Sequence, residues 1–259
     1  MGNEVSAASH GVDWADTRVS PMPLWKRVLD LACIAVTLPL WVPMIVLLGT
    51  AIKCLSPGPI LFRHERVGYR GRRFKCYKFR TMKVNADTDV HRQHLADLMK
   101  ADVPMVKMDS KGDERLIPLG RFLRASGLDE LPQIFNTLKG EMSLVGPRPC
   151  LPYEYENYQA WQRRRFEAVP GLTGLWQVSG KNRTTFSEMM FLDIFYAENK
   201  SLLLDLTIMT KTGPTLISQV METRGKKKRA STHGSETVKL RHTGRETRSS
   251  VEIVNSNQS

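Results

Sequence analysis

Cysteine is scarce in this chain. The four cysteines (Cys33, Cys54, Cys76 and Cys150) are scattered over 259 residues and form no Cys-x-x-Cys pair. That excludes a disulfide-stapled scaffold, which a chain of this length does not need. It also excludes a zinc site of the usual ligand spacing. The thiols read as reduced and cytosolic. Acidic residues are short as well: 26 against 38 lysines and arginines, a formal net charge of +12. Aromatic residues are missing altogether from Arg224 to Ser259, where nine Lys/Arg face three Asp/Glu. Such a segment cannot build a core. Elsewhere the supply suffices, with 41% hydrophobic residues, five Trp, nine Phe and six Tyr, so global disorder is excluded. The length allows one large domain or two small ones, and no internal repeat is present.

The charge is concentrated. Arg63 to Lys83 carries nine Lys/Arg against Glu65 alone, interleaved with Val67, Tyr69, Phe74, Tyr77 and Phe79. Charge is absent from the 22 residues Leu31 to Ile52, which as a helix would extend about 33 Å, enough for a hydrocarbon core of about 30 Å. The run starts too late and is too long for a signal peptide. Pro39 and Pro43 interrupt it, and a proline removes an N–H and clashes with the preceding turn. Both flanks are basic: Lys26 and Arg27 before, Lys53, Arg63 and Arg66 after. Positive residues favour the cytoplasmic side. These features fit a helix that enters, breaks at the prolines and returns to the same face. A spanning helix with a proline kink and a buried helix of a soluble domain stay open. Asp30 is placed to pair with Arg27 one turn earlier.

The remainder reads coarsely. Met1 to Pro21 is a polar tail. Ser56-Pro57-Gly58-Pro59 is a turn cluster that ends the apolar segment. Ile60 to Arg80 predicts a hairpin around Gly68 and Gly71. Val84 to Val103 suggests a helix with a loop. Leu119 to Leu138 predicts helix on both sides of a break at Gly127, Tyr153 to Ala168 a helix, and Phe186 to Lys211 a core or interfacial helix.

Four clusters can carry chemistry, each with a plainer reading beside it. In the hairpin, Lys78 and Arg80 are two apart and would share a strand face; they suit a phosphate, or else a solvated strand face beside anionic lipid. Asp129 and Glu130 follow Arg115, Arg121 and Arg124. They can hold a divalent cation and expose a nucleophilic carboxylate. Equally, Ser126-Gly127-Leu128-Asp129 fits a capping box. Pro147-Arg148-Pro149 fixes an arginine backbone for bidentate phosphate binding, or is a rigid turn. Pro170 to Lys181, with Gly171, Gly174 and Trp176, can line a nucleotide or sugar pocket, or is a structural loop buried by Trp176.

Order and combination discriminate where the single motifs do not. The chain from Pro23 to Thr212 resembles the bacterial sugar transferases, the small monotopic phosphoglycosyl transferases. The resemblance rests on Lys26-Arg27 with Asp30, Ser56 to Pro59, Lys78-Phe79-Arg80-Thr81-Met82 and Leu128-Asp129-Glu130-Leu131-Pro132-Gln133. It continues through Lys139 to Pro149, Pro170 to Gly180, and Asp193 with Tyr196 and Asp205. Some positions depart from the family pattern: Val42-Pro43 where Ser-Pro is frequent at the helix break, Gly127 two residues before the aspartate, and Lys181 for an arginine.

The resemblance implies an α+β fold: a mostly helical cytoplasmic domain with a small β-hairpin or sheet, and an N-terminal re-entrant helix-break-helix. The implied organisation is a flexible tail over 1–22, the membrane helix over 23–55, the catalytic domain over 56–223 and a disordered basic tail over 224–259. The implied enzyme sits in the bacterial inner membrane, with its catalytic domain on the cytoplasmic face. It would move a sugar-1-phosphate from a UDP-sugar to undecaprenyl phosphate and release UMP, the first membrane step of exopolysaccharide or glycoconjugate synthesis. The wording from Leu175 to Gly180 leans to glucose or galactose. By resemblance Asp129 is the nucleophile that carries a covalent phosphosugar. Glu130 supports the Mg²⁺ site together with Asp129. Arg148 is a phosphate ligand, with Lys78, Arg80 and Arg115 as further contacts. No nucleic acid is expected. The rivals are a basic nucleic-acid-binding protein, whose Gly68-Tyr69-Arg70-Gly71 would clamp a backbone, and a non-catalytic membrane scaffold.

Overall fold

The computed structural model describes residues 22–83, 101, 103–104, 115–180, 184–218 and 221. The N-terminal tail, nearly all of the Val84 to Val103 stretch, Asp113, Glu114, Lys181 and the basic tail from Arg224 lie outside the described residues. The chain divides into two units, Met1–Gly213 and Pro214–Ser259. The first carries the hairpin and the candidate site; in the second, residues 214–218 are helical.

The apolar segment forms two helices, α1 (Leu24–Val36) and α2 (Leu38–Leu55). They part at Thr37, where φ is −89° and ψ is 1°. Pro39 causes the break: it has no N–H for the Ala35 carbonyl, and its ring would collide with that carbonyl. Near the break the Ile34 carbonyl accepts from the Trp41 indole at 3.0 Å, and Thr37 Oγ1 adds a second donor, at 2.6 Å, to the Cys33 carbonyl that the Thr37 amide already bonds at 3.0 Å. This corrects the expectation that Pro43 marks the break. Pro43 lies inside α2, and the hydroxyl that back-bonds at the break belongs to Thr37. Among the described residues, α2 is the one helix long and apolar enough to cross a membrane, and only 17% of it is buried. Leu40, Val46 and Leu47 are exposed, whereas Leu48 and Ile52 pack with Phe79, Ile117 and Leu123. The C-terminal end of α2 is therefore rooted in a core, while its face with Leu40, Val46 and Leu47 is exposed among the described residues.

Arg27 and Asp30 do not pair. Arg27 donates to the Thr137 and Leu138 carbonyls at 2.5 and 2.7 Å, and Asp30 accepts from the Leu144 amide at 3.1 Å. The buried Lys26 is bonded to Asp205 and, at 2.9 Å, to the Tyr196 hydroxyl.

The hairpin pairs β1 (Leu61–Val67) with β2 (Arg73–Phe79), antiparallel, with Leu61 opposite Phe79 and Val67 opposite Arg73. Its turn places Gly71 at φ +75°, where a side chain would meet the Tyr155 hydroxyl at 2.8 Å. Beyond it, α3 (Gly120–Ser126) ends on left-handed Gly127, a 3-10 segment covers Leu128–Gln133, and α4 (Ile134–Lys139) follows. The predicted break at Gly127 is found.

A second, parallel pair joins β3 (Ser143–Val145) to β4 (Gly171–Thr173). A Cβ on Gly171 would lie 2.0 Å from the Gly146 amide nitrogen, so this glycine serves strand packing. Tyr153 to Ala168 is not one helix. α5 (Pro152–Glu156) stops at Asn157, whose side chain donates to the Tyr153 carbonyl at 2.6 Å, and a 3-10 segment covers Gln162–Glu167. The short α6 (Leu175–Val178) contains the buried Trp176, which donates to Thr184 Oγ1 at 2.6 Å. Thr185 and Glu188 cap α7 (Phe186–Asn199) reciprocally. Residues 200–201 separate α7 from α8, which covers 202–213. The architecture is mostly helical with small sheets.

Candidate functional site

Asp129 and Glu130 stand in the first turn of the 3-10 segment. Ser126 is the last residue of α3; its hydroxyl donates back to the Phe122 carbonyl at 2.8 Å and accepts from the Leu128 amide, the first of the 3-10 segment, at 3.4 Å. Asn136 fixes this segment against β2. Its side-chain oxygen accepts from the Tyr77 amide at 3.1 Å. Its side-chain nitrogen donates to the Lys75 carbonyl at 2.8 Å and to Glu141 at 2.6 Å. The amide thus continues the ladder of β2. The consequence is a contact across the site: Lys78 Nζ lies 2.6 Å from Glu130 Oε1, with both side chains partly exposed.

The register of the hairpin adds residues that sequence reading missed. Phe62 is opposite Lys78 and His64 opposite Cys76, so Phe62, His64, Arg66, Cys76 and Lys78 share one face. Arg66 Nε donates to His64 Nε2 at 2.5 Å, and Arg66 NH1 donates to the Pro149 carbonyl at 3.1 Å. The His64 ring stacks on Phe62, with centroids 5.4 Å apart. Burial first, then the charges of Arg66, Lys78 and Arg148, push the His64 pKa down to about 2, so its imidazole is neutral. Burial also pushes the Cys76 thiol up to about 11. The alternation of Phe62, His64 and Arg66 within the predicted hairpin was the available signal.

Arg148 is held from both ends. Its guanidinium lies 3.2 Å from Glu154, and its carbonyl accepts from Arg165 at 2.8 Å. Arg165 is fully buried, paired with Asp193 and bonded to the Tyr158 hydroxyl at 3.0 Å. Asp193, singled out by the family motif, therefore supports Arg148 through Arg165. Burial disfavours the charge on Arg148, but Glu154 and Tyr158 outweigh it and raise its pKa. Glu154 is correspondingly held low: burial opposes this, and Arg148 and Arg66 prevail.

The other two predicted contacts are placed differently. Arg80 lies just past the end of β2 and is buried. It donates to the Pro57 carbonyl at 2.6 Å and the Ser56 carbonyl at 2.8 Å, which ties the turn cluster to the hairpin. The carbonyl of Arg115 accepts from the Lys83 amide at 2.8 Å, and Leu116 bridges Met82. The structure thus joins Glu130 to Lys78, with Asp129 next in chain. It sets Arg148 among the charges that act on His64, and it anchors Arg80 to the turn of Ser56 and Pro57. Among the described residues, no three His, Cys, Asp or Glu side chains converge as a metal cage. Where α2 leaves the apolar segment, a groove of about 620 Å³ is lined by Lys53 and the stretch from Gly58 to Arg63.

Comparison with known proteins agrees with the motif order. The family model described as bacterial sugar transferase matches residues 22–219. The undecaprenyl-phosphate galactose phosphotransferase of Salmonella typhimurium is 39% identical over 193 residues, 74% of this chain and 40% of that protein. The UDP-glucose:undecaprenyl-phosphate glucose-1-phosphate transferase of Caulobacter vibrioides is 40% identical over 203 residues, 75% of this chain and 70% of that protein. The exopolysaccharide production protein ExoY of Rhizobium meliloti is 36% identical over 191 residues, 74% and 84% of the two chains. The matched region is about 40% of the length of the Salmonella and Erwinia amylovora relatives.

Proposed function

Since the chain belongs to the bacterial sugar transferase family, we propose that it transfers a hexose-1-phosphate from a UDP-sugar to undecaprenyl phosphate through an aspartyl intermediate on Asp129. The observation that carries this reading is the Asp129-Glu130 turn held against β2, where Lys78 reaches Glu130 at 2.6 Å.

The Asp129 carboxylate attacks the phosphorus that bears the sugar. A bond from Asp129 oxygen to phosphorus forms, the bond to the bridging oxygen breaks, and UMP leaves. An oxygen of undecaprenyl phosphate then attacks the same phosphorus and restores the free carboxylate. The product is undecaprenyl diphosphate sugar. Phosphoryl transfer is mostly positioning and charge neutralisation, and Lys78 and Arg148 supply cations for both steps. The donor set fits Mg²⁺, which takes oxygen ligands and commonly needs only one or two carboxylates beside phosphates and water. Asp129 and Glu130 would hold it, and when bound it would offset the diphosphate charge. The choice of glucose or galactose follows the two named relatives.

The acceptor is a membrane lipid, and the uncovered face of α2 suits that. With basic residues on both flanks and the helix broken at Thr37, residues 23–55 are read as a re-entrant anchor in the bacterial inner membrane. The domain over 56–223 would then lie on the cytoplasmic face. The groove lined by Lys53 and Arg63 together with Ile60 and Leu61 combines basic and apolar groups, which suits the phosphate and chain of such a lipid. The test is UMP release by purified protein with undecaprenyl phosphate, Mg²⁺ and a panel of UDP-sugars. Release with UDP-glucose or UDP-galactose is expected. Absence of UMP with every sugar would overturn the proposal.

A further inference from the structure

We propose that His64 presents its Nδ1–H to a phosphate oxygen of the nucleoside diphosphate donor, with Arg66 locking the imidazole in the tautomer this requires. The inference rests on the donor reading above and names a ligand-binding residue for that site.

The lock follows from hydrogen-bond chemistry. An arginine nitrogen only donates, because the guanidinium does not lose its proton in proteins. Arg66 Nε stands 2.5 Å from His64 Nε2, so Nε2 must be the accepting, unprotonated nitrogen. The one proton of a neutral imidazole is then on Nδ1. Arg66 is itself fixed through its bond to the Pro149 carbonyl, beside Arg148. Stacking on Phe62 fixes the plane of the ring.

Nδ1 is the informative atom. It is buried, and among the described residues no hydrogen-bond acceptor reaches it. A buried donor without an acceptor is costly, and native structures rarely keep one without a reason. The largest charge effects on this ring come from Arg66, Lys78 and Arg148, all cations, ahead of Glu130. Glu130 is engaged by Lys78 at 2.6 Å. The same positive surroundings keep the ring from taking a second proton. A cation has no place at a protonated nitrogen in such a field. An anionic oxygen fits both the donor and the charge, and a diphosphate at Asp129 brings several.

Two substitutions separate this role from a packing role. The amide nitrogen of asparagine stands close to where Nδ1 does, whereas glutamine reaches the Nε2 position and leaves no donor at Nδ1. For His64→Gln, kcat/KM for UDP-glucose should fall by about 10- to 100-fold, the effect of losing a hydrogen bond to a charged group. KM for undecaprenyl phosphate should hold. His64→Asn should stay within several-fold of wild type, and calorimetric affinity for UDP should follow the same order. Imidazole nitrogen resonances should show Nδ1 protonated and shifting when UDP is added. Donor kinetics of His64→Gln equal to wild type would overturn the inference alone, since wild-type turnover would still uphold the donor reading. Equal impairment of both variants in step with a lowered Tm would also overturn it, by making His64 a packing residue. A wild-type protein that binds no UDP would overturn the donor reading and this one with it.

Discussion

Arg148 owes its position to a residue six places along the chain. Glu154 is buried against it at 3.2 Å and also accepts from the Leu151 amide at 3.1 Å. Removing one partner of a buried pair leaves an uncompensated charge, so Glu154→Gln should cost about 3–5 kcal/mol of stability at neutral pH. The Glu154 pKa is held below its ordinary 4.5 in the folded chain. A group depressed in this way stabilises above its unfolded value and loses that contribution as pH falls through the folded value. The Tm gap between wild type and Glu154→Gln should therefore be full at pH 7 and shrink below about pH 4.5; a gap that grew on acidification would contradict the pairing. The bracketing prolines single out Arg148 in the sequence, and the adjoining acids single out Asp129 with Glu130. Glu154 is not singled out, because its contact with Arg148 depends on how the extended link through Cys150 and Leu151 brings the first turn of α5 back beside that arginine. Arg80 was read as a neighbour of Lys78 from strand alternation. The strand ends at Phe79, so the alternation no longer applies one residue later.

The helix break carries the topology. Prolines and basic flanks announced it, but its position at Thr37 depends on which carbonyls can find new donors. Pro39 sits at the start of α2, where an N–H is not needed, the Trp41 indole serves the Ile34 carbonyl, and the Thr37 hydroxyl adds to the bond its amide makes to the Cys33 carbonyl. Combined Thr37→Ala and Pro39→Ala should restore a continuous helix, and Pro43→Ala should leave the break in place. Cysteines introduced near Ser9 and Ser250 report this through a membrane-impermeant thiol reagent in intact cells, in a background freed of native cysteine. Both sites should be protected in the parent and in Pro43→Ala, and the Ser9 site should become labelled in the double variant. Labelling of Ser9 in the parent would mean a full span. The hairpin was legible from its glycines and alternation. The pair β3 and β4 was not: three-residue strands are too short to show a period of two, and parallel partners lie far apart in sequence. Tyr153 to Ala168 had the composition of one helix, yet Asn157 ends it, and this lets Arg165 turn inward to Asp193.

At the scale of the molecule, one buried cluster joins the start of the first unit to its end. Lys26 on α1 meets Asp205 on α8, and Tyr196 on α7 bonds both residues and, at 3.2 Å, the Val145 carbonyl. The apolar segment is thereby fixed to the frame that carries the site. Lys26→Met should destabilise by about 3–5 kcal/mol because Asp205 is left unpaired, and adding Asp205→Leu should recover much of that loss. A double variant no more stable than the single would show that the pair is not the link. The family motif contained all three residues, but nothing in the sequence assigned Lys26 to Asp205 rather than to Asp30. The central claim is that Asp129 is a nucleophile rather than a helix cap, and mass spectrometry tests it most directly. Purified protein is incubated with Mg²⁺ and UDP-glucose or UDP-galactose without acceptor, quenched and digested. A hexose phosphate is expected on the peptide containing Asp129, discharged by undecaprenyl phosphate and missing from a folded Asp129→Asn variant. Wild-type turnover by that variant, or an adduct on another residue, would contradict it.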